Sequence, residues 1–223
     1  MSFIVAIDGP AGSGKGTLTH EISKRMGLIY IDTGATYRSV ALAAIRRGLT
    51  LENKQEIAEL VDELNIEIKN IDGENRFFLD GEDVSKDIRS KEVTAIVSQV
   101  SSIVAVREKM AVLQRRLAEG KDVIMEGRDI GTVIFPNANV KIYLDATVEE
   151  RARRRFKENQ EKGIDTTYEE VIENIKMRDE NDKNKEVGAL KVAEGAIIVD
   201  STNMSIEEMT DVVEKIIKEH RNV

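Results

Sequence analysis

Cysteine is absent from the 223 residues, and histidine occurs twice. Without thiols the chain has no disulfide, no thiolate metal centre and no cysteine nucleophile. Two scattered histidines do not make a histidine metal site. Tryptophan is absent too, and aromatics make up 4% of the chain, which argues against a binding module built on aromatic surfaces. Positive charge is in deficit: 33 Lys and Arg stand against 41 Asp and Glu, a formal net charge of -8. A broad nucleic-acid or anionic-membrane binder needs the opposite sign, so neither partner is expected. No stretch approaches the roughly 20 apolar residues of a membrane span. The first apolar run, FIVAID from Phe3 to Asp8, is too short for a signal segment and lacks a basic flank. A cytoplasmic location is expected.

What is present is ordinary for a globular chain, 41% hydrophobic and 33% charged residues, enough for one large domain. Five short Val- and Ile-rich runs read as buried strands: FIVAID, LIYID (28–32), DVIMEG (122–127), VKIYLDA (140–146) and AIIVD (196–200). Helical patterns lie between them: TYRSVALAAIRRG, the long run from Ser90 to Gly120, and EEMTDVVEKIIKEH. Such alternation implies a parallel sheet with helices on both faces. Two segments break the rhythm. Residues 65–85 hold two alternating runs with Asp-Gly steps at Asp72-Gly73 and Asp80-Gly81, the chemistry of antiparallel hairpins. Residues 149–187 are highly charged and strandless, with two helical stretches around Gly163, and read as an exposed, mobile flap.

Between the first strand and the helix after it stands GPAGSGKGT: Gly9, Pro10, Ala11, Gly12, Ser13, Gly14, Lys15, Gly16 and Thr17. Glycines let backbone N–H groups approach an anion closely. A helix N-terminus adds unpaired N–H groups and a positive dipole end. Lys15 would place a charge on the β- and γ-phosphates, and Thr17 would offer a hydroxyl to Mg²⁺. The loop reads as a cradle for the polyphosphate of ATP. Gly16 stands where Ser or Thr usually follows the lysine, and in that respect the loop resembles that of nucleoside monophosphate kinases. A guanine-reading Asn-Lys-x-Asp is missing: the nearest match, Asn184 to Val187, has no Asp.

A kinase needs a second anion site, and open α/β sheets bind ligands at the carboxyl ends of their strands. After LIYID come Asp32, Thr33, Tyr37 and Arg38; after DVIM come Glu126, Arg128 and Asp129. A third cluster holds Arg178, Asp182, Lys183 and Lys185. Either arginine alone could be a solvated surface charge; two beyond two core strands point to a phosphate site. Asp129 reads as a ligand group or as a partner fixing Arg128. Within RARRRF (151–156), the arginines read as a solvated helix face or, beside a polyphosphate, as charge stabilisers, with Arg154 the candidate.

The stretches IDGPAGSGKGT, DTGATYR, LDGEDVSKDIRSKEV, SQVSSIVAVRE, EGRDIGTVIFPNANVKIYLDA, ERARRR and IKMRDENDKNK together resemble bacterial cytidylate kinases over nearly the whole chain. The resemblance implies an α/β P-loop kinase fold in a single domain over 1–223. Its acceptor-binding sub-region would span 33–98, with the antiparallel insert at 65–85, and its helical lid 149–187. It implies transfer of the γ-phosphoryl of ATP to CMP or dCMP with Mg²⁺; nothing in the sequence suggests an obligate interface, so a monomer is expected. Arg38, Arg128 and Lys185 would meet the acceptor phosphate. Ser98, Arg107 and Asp129 would read cytosine, Tyr37 would help wall the acceptor site, Thr33 would keep a substrate-binding hydroxyl where relatives can have Ser, and Arg178 and Asp182 would hold the sugar. Lys15, Arg128, Arg154 and Lys185 would stabilise the transferring group. The usual D-R-N-R run stands here as Asp182-Lys183-Asn184-Lys185. The rivals are a kinase of UMP, AMP or shikimate, separable by substrate, and a nucleotide-dependent switch that transfers nothing.

Overall fold

The computed structural model describes residues 2–71 and 74–221. They form two compact units: the described residues up to Ile29 and from Gly120 on, and Tyr30–Glu119 between them.

The first unit is built on a five-stranded sheet. Its strands are β1 (Ile4–Asp8), β2 (Ile29–Asp32), β6 (Val123–Gly127), β7 (Val140–Asp145) and β8 (Ile197–Asp200), in the order β2-β6-β1-β7-β8. The boundary between the units falls within β2. Pairing is parallel: Val5 lies opposite Ile124 on one side and Val140 on the other, and Ile142 opposite Ile197. Around the sheet lie α1 (Lys15–Met26), packed on β1 and β6, and α8 (Ile206–Arg221), packed on α1. All five strands read from sequence as buried on both faces. That describes β1, β6 and β7. It does not describe the edges, where Ile29 of β2 and Ile198 of β8 are exposed, Ile198 by 60%. An edge strand has a neighbour on one side only, and hydrophobicity alone cannot say which strand ends the sheet.

Two more helices of this unit, α6 (Val148–Glu161) and α7 (Tyr168–Lys183), form an antiparallel pair around a turn in which Gly163 has φ 66°. They have a small core of their own, Ala152, Val171 and Ile175, closed by Phe156 edge-on to Tyr168 at 5.9 Å. Thr147 caps α6, and Thr167 with Glu170 forms a reciprocal capping box on α7.

The second unit holds α2 (Thr33–Arg46), α3 (Lys54–Glu63), α4 (Lys91–Val100), α5 (Val104–Ala118) and a three-stranded antiparallel sheet. That sheet comprises β3 (Ile66–Ile71), β4 (Glu74–Leu79) and β5 (Glu82–Asp83). The β4–β5 turn is Asp80-Gly81, with φ 51° and 86°, the positive pair a two-residue hairpin demands. The other Asp-Gly step, Asp72-Gly73, lies outside the described residues. Phe77 and Leu79 join Val40, Ile57, Leu60, Ile88, Val93 and Met110 in the core. This unit runs past the 33–98 region drawn from sequence because α5 packs on α2 and α3.

Two features depart from the sequence reading. Helix α3 was not anticipated; its signal is Asn53 before apolar Ile57, Leu60 and Val61. The long pattern from Ser90 to Gly120 is two helices, broken at Ser101–Ile103. The Ser101 and Ser102 hydroxyls both donate to the Ser98 carbonyl, 2.9 and 2.8 Å, drawing it away from continued helical bonding.

Candidate active site

Gly9 begins the loop after β1 with φ 154°, and a Cβ there would lie 2.1 Å from the Leu144 carbonyl oxygen of β7. Only glycine allows the chain to leave the sheet at this point. The loop then turns into α1, whose N-cap is Gly14. Thr17 is exposed on the first helical turn. Lys15 is 5% exposed; its Nζ donates to the Pro10 carbonyl at 2.8 Å and to Ser13 Oγ at 3.3 Å. Burial, then the charge of Arg128, pushes its pKa down to about 7, opposed by Glu126, Asp8 and Asp182.

Arg128 follows β6. Its Nε donates to Asp182 Oδ2 at 2.8 Å, and Lys185 Nζ donates to Asp182 Oδ1 at 2.8 Å. Asp182 and Lys185 are nearly buried and Arg128 is one-fifth exposed. Burial pushes the Asp182 carboxyl up, but Arg128 and Lys185 outweigh it and hold the group well below the usual carboxylate range. Arg128 and Lys185 are thus paired to one carboxylate, and Lys15 lies near enough to feel the charges of Arg128 and Asp182. The resemblance sets Asp182 on a sugar; here it orients two cations, though each oxygen keeps a second lone pair. Arg178 lies one turn earlier on α7, half-buried.

Beside this cluster is a carboxylate absent from the sequence-derived candidates. Asp8, at the end of β1, accepts from the N–H of Ile130 at 2.8 Å and of Gly131 at 2.7 Å. Burial drives its pKa up to about 6, the two backbone bonds pull down, and Asp129 and Lys15 add smaller opposing effects. The segment it holds, Ile130–Ile134, is one wide turn of π type closed by Phe135 N–H to the Ile130 carbonyl at 2.7 Å. Buried Asp129 starts that turn. The sequence signal was an acid in the last position of a core strand, just before the glycine loop.

Arg154 is braced rather than aimed outward. It donates to Glu150 Oε1 at 2.8 Å, to the Ser13 carbonyl at 3.2 Å, and to Ser201 Oγ and carbonyl at 3.2 and 2.5 Å.

In the second unit, Asp32 caps α2 by accepting from the Ala35 N–H, placing Thr33 and Tyr37, both buried, on the first turns. Arg38 donates to Thr94 Oγ1 at 3.0 Å. The α4–α5 break puts Ser98 near the end of one helix and Arg107 in the first turn of the next. Arg107 is buried, donates to the Ser101 carbonyl at 2.9 Å, and lies 5.5 Å from the Tyr37 ring centroid. Sequence reasoning passed over Gln114, which donates to Thr36 Oγ1 at 3.1 Å while Thr36 donates to the Thr33 carbonyl at 2.7 Å. The insert is tied in by Asn75, donating to the Tyr30 carbonyl at 2.7 Å.

Chemically, the first unit offers a glycine-rich amide loop, a buried lysine and two oriented cations, a set suited to phosphate groups. Among the described residues no helix is long and apolar enough to cross a membrane. The family model for cytidylate kinase matches residues 5–222. A cytidylate kinase of Caldicellulosiruptor bescii is 48% identical over 205 residues, 92% of this chain and 91% of its own. Another, from Caldanaerobacter subterraneus subsp. tengcongensis, is 46% identical over 216 residues, 97% and 95% of the two chains. Among solved structures, an uncharacterized protein from Eubacterium ventriosum has a TM-score of 0.54 at 13% identity, over 98% of this chain and 99% of its own, a likeness of fold alone.

Proposed function

The chain belongs to the cytidylate kinase family, and from that membership we propose that it transfers the γ-phosphoryl group of ATP to CMP or dCMP, giving ADP and CDP or dCDP. The observation that carries the reading is the pairing of Arg128 and Lys185 on Asp182, with the charges of Arg128 and Asp182 acting on the Lys15 of the glycine loop. Phosphoryl transfer asks a protein chiefly to position reactants and neutralise charge. The residues from Gly9 to Thr17 would hold the ATP phosphates, with Lys15 on the transferred group and Arg154 supporting the loop's positive field. Arg38, Arg128 and Lys185 would hold the acceptor phosphate. Ser98, Arg107 and Asp129 would read the cytosine edge, whose amine needs an acceptor and whose N3 and O2 need donors. Thr33 and Tyr37 would line the acceptor site. Arg178 would take the sugar, with Asp182 shared between sugar and cations.

Thr17 is the residue that would hold Mg²⁺. Its exposed hydroxyl suits an ion that keeps most of its ligands as water and phosphate oxygens. When bound, Mg²⁺ neutralises charge on those oxygens. The protein would work as a monomer in the cytoplasm, on small nucleotides.

A coupled ADP-release assay with ATP and a panel of CMP, dCMP, UMP and AMP tests the reading. CMP and dCMP should be the best acceptors. AMP as the best acceptor, or slow hydrolysis with no transfer to any monophosphate, would overturn it.

A further inference from the structure

Arg151, on the first turn of α6, is 4% exposed. Four of its five N–H groups are bonded to the protein. Nε donates to the Ala146 carbonyl at 2.9 Å, Nη1 to the Ala11 carbonyl and to Asp179 Oδ1, both at 3.0 Å, and Nη2 to Asp179 Oδ2 at 2.6 Å. Ala11 lies in the glycine loop and Asp179 on α7. The approach is close: a Cβ on Gly12 would sit 3.2 Å from both the Cβ and the carbonyl oxygen of Arg151. One turn on, Arg154 holds the Ser13 carbonyl, and from inside the loop Lys15 holds that of Pro10.

A trans peptide is planar, and its N–H points opposite to its C=O. Holding the carbonyls of Pro10, Ala11 and Ser13 therefore fixes the directions of the N–H groups of Ala11, Gly12 and Gly14. Those amides are the anion-binding element of such a loop. Of the three, the Ala11 carbonyl is held by a side chain with no place in the reaction chemistry. Arg151 points to it because Asp179 grips the guanidinium with both oxygens, and a planar fork so gripped cannot swing.

We propose that Arg151 is a positioning residue for the ATP phosphates: through the Ala11 carbonyl it sets the loop amides, and Asp179 holds it in place to do so. The proposal rests on reading the loop as the ATP phosphate site. The rival role for the pair is a staple between α6 and α7, which would affect stability and leave substrates undistinguished.

Arg151→Lys and Asp179→Asn separate the two. Lysine keeps the charge but cannot serve four acceptors; asparagine keeps the size of Asp179 and leaves the Arg151 bonds to Ala11 and Ala146 available. Binding of Mg-ATP and of CMP would be measured separately by titration calorimetry, with thermal unfolding and steady-state kinetics alongside. Wild-type protein must bind ATP; if it does not, the reading of the loop fails before the proposal is reached. With wild-type binding intact, both variants should lose about tenfold or more in ATP affinity, the scale of one misdirected hydrogen bond to a charged group. CMP affinity should change less than about threefold on the same scale. Asp179→Glu, which restores the charge, should recover part of the ATP loss. Combining Arg151→Lys with Asp179→Asn should cost little beyond the worse single change, since both act on one contact. Should Arg151→Lys fail to fold, Asp179→Asn decides alone. ATP affinity unchanged in a folded Asp179→Asn protein, or equal losses for ATP and CMP, would overturn the proposal.

Discussion

Replacing Asp182 with alanine should cost both stability and acceptor binding. Asp182 lies in the last turn of α7, where the helix dipole disfavours an anion, so its stabilising partners must be tertiary. They are Arg128 and Lys185, each at 2.8 Å. Removing the carboxylate leaves two cations without their shared partner, one of them nearly buried. Breaking a buried pair in this way costs about 3–5 kcal/mol. Arg128 is still 20% exposed and can recover some hydration, which favours the lower end, about 3 kcal/mol. At about 2–4 °C per kcal/mol for a chain of this size, the melting temperature should fall by roughly 6–12 °C. Asp182→Asn keeps the shape and one acceptor, and should fall between. The folded-state pKa is depressed, so the stabilisation is fully present above the unfolded carboxylate value of about 3.9 and is lost as pH falls through the lower folded value. The part of the gap that comes from Asp182's own ionisation should close below about pH 4. With Arg128 and Lys185 no longer oriented, kcat/KM for CMP should drop by about one to two decades. Urea or thermal unfolding across pH, with steady-state kinetics, makes the test. A folded Asp182→Ala protein with wild-type melting and wild-type KM for CMP would refute the reasoning.

Lys15→Met should leave the fold intact by circular dichroism and cut turnover by about two decades or more, the scale of removing one preorganised charge from a transferring group; near-normal turnover would remove Lys15 from the reaction. Arg107→Met should lower kcat/KM for CMP by about one to two decades and narrow the preference for CMP over UMP, since an unmet buried polar group costs about 1–3 kcal/mol; an unchanged CMP-to-UMP ratio would refute that readout. Asp8 has a folded pKa raised from 3.8 to about 6, so its contribution to stability falls as pH rises between those values, by about 3 kcal/mol in total. Unfolding free energies of wild type and Asp8→Asn, measured from pH 4 to 7, should shift in favour of the variant as pH rises; a constant difference would show that the Asp8 pKa is not raised.

The core strands and the glycine loop were legible because each is a local rule. A Val- and Ile-rich run ending in an acid before GPAGSGKGT can be read without knowing what packs above it. The Asp80-Gly81 turn is local in the same sense, since only certain residues accept two positive φ angles in succession. Asp8 was harder. Its role depends on the N–H groups of Ile130 and Gly131, more than a hundred residues away in sequence, and a lone acid at a strand end has no spacing to announce it. The break between α4 and α5 was hidden because apolar periodicity continues through it, while two serine hydroxyls on one carbonyl end the helix.

The sequence by itself determined that strands alternate with helices, that a glycine-rich loop follows β1, and which charged residue types stand beyond the strand ends. The tertiary structure decided which of several equivalent residues does what. Within Arg151 to Arg155, residue type distinguishes nothing among four arginines. Each step along a helix turns the side chain by about a hundred degrees, and only the packing of α6 selects the inward direction. Arg151 is therefore buried against Asp179 and the loop, Arg154 reaches Ser13 and Ser201, and the Arg153 side chain stands 74% exposed beside Glu150. The same chemistry becomes a loop support or a solvated surface charge according to a neighbour that the local sequence does not contain.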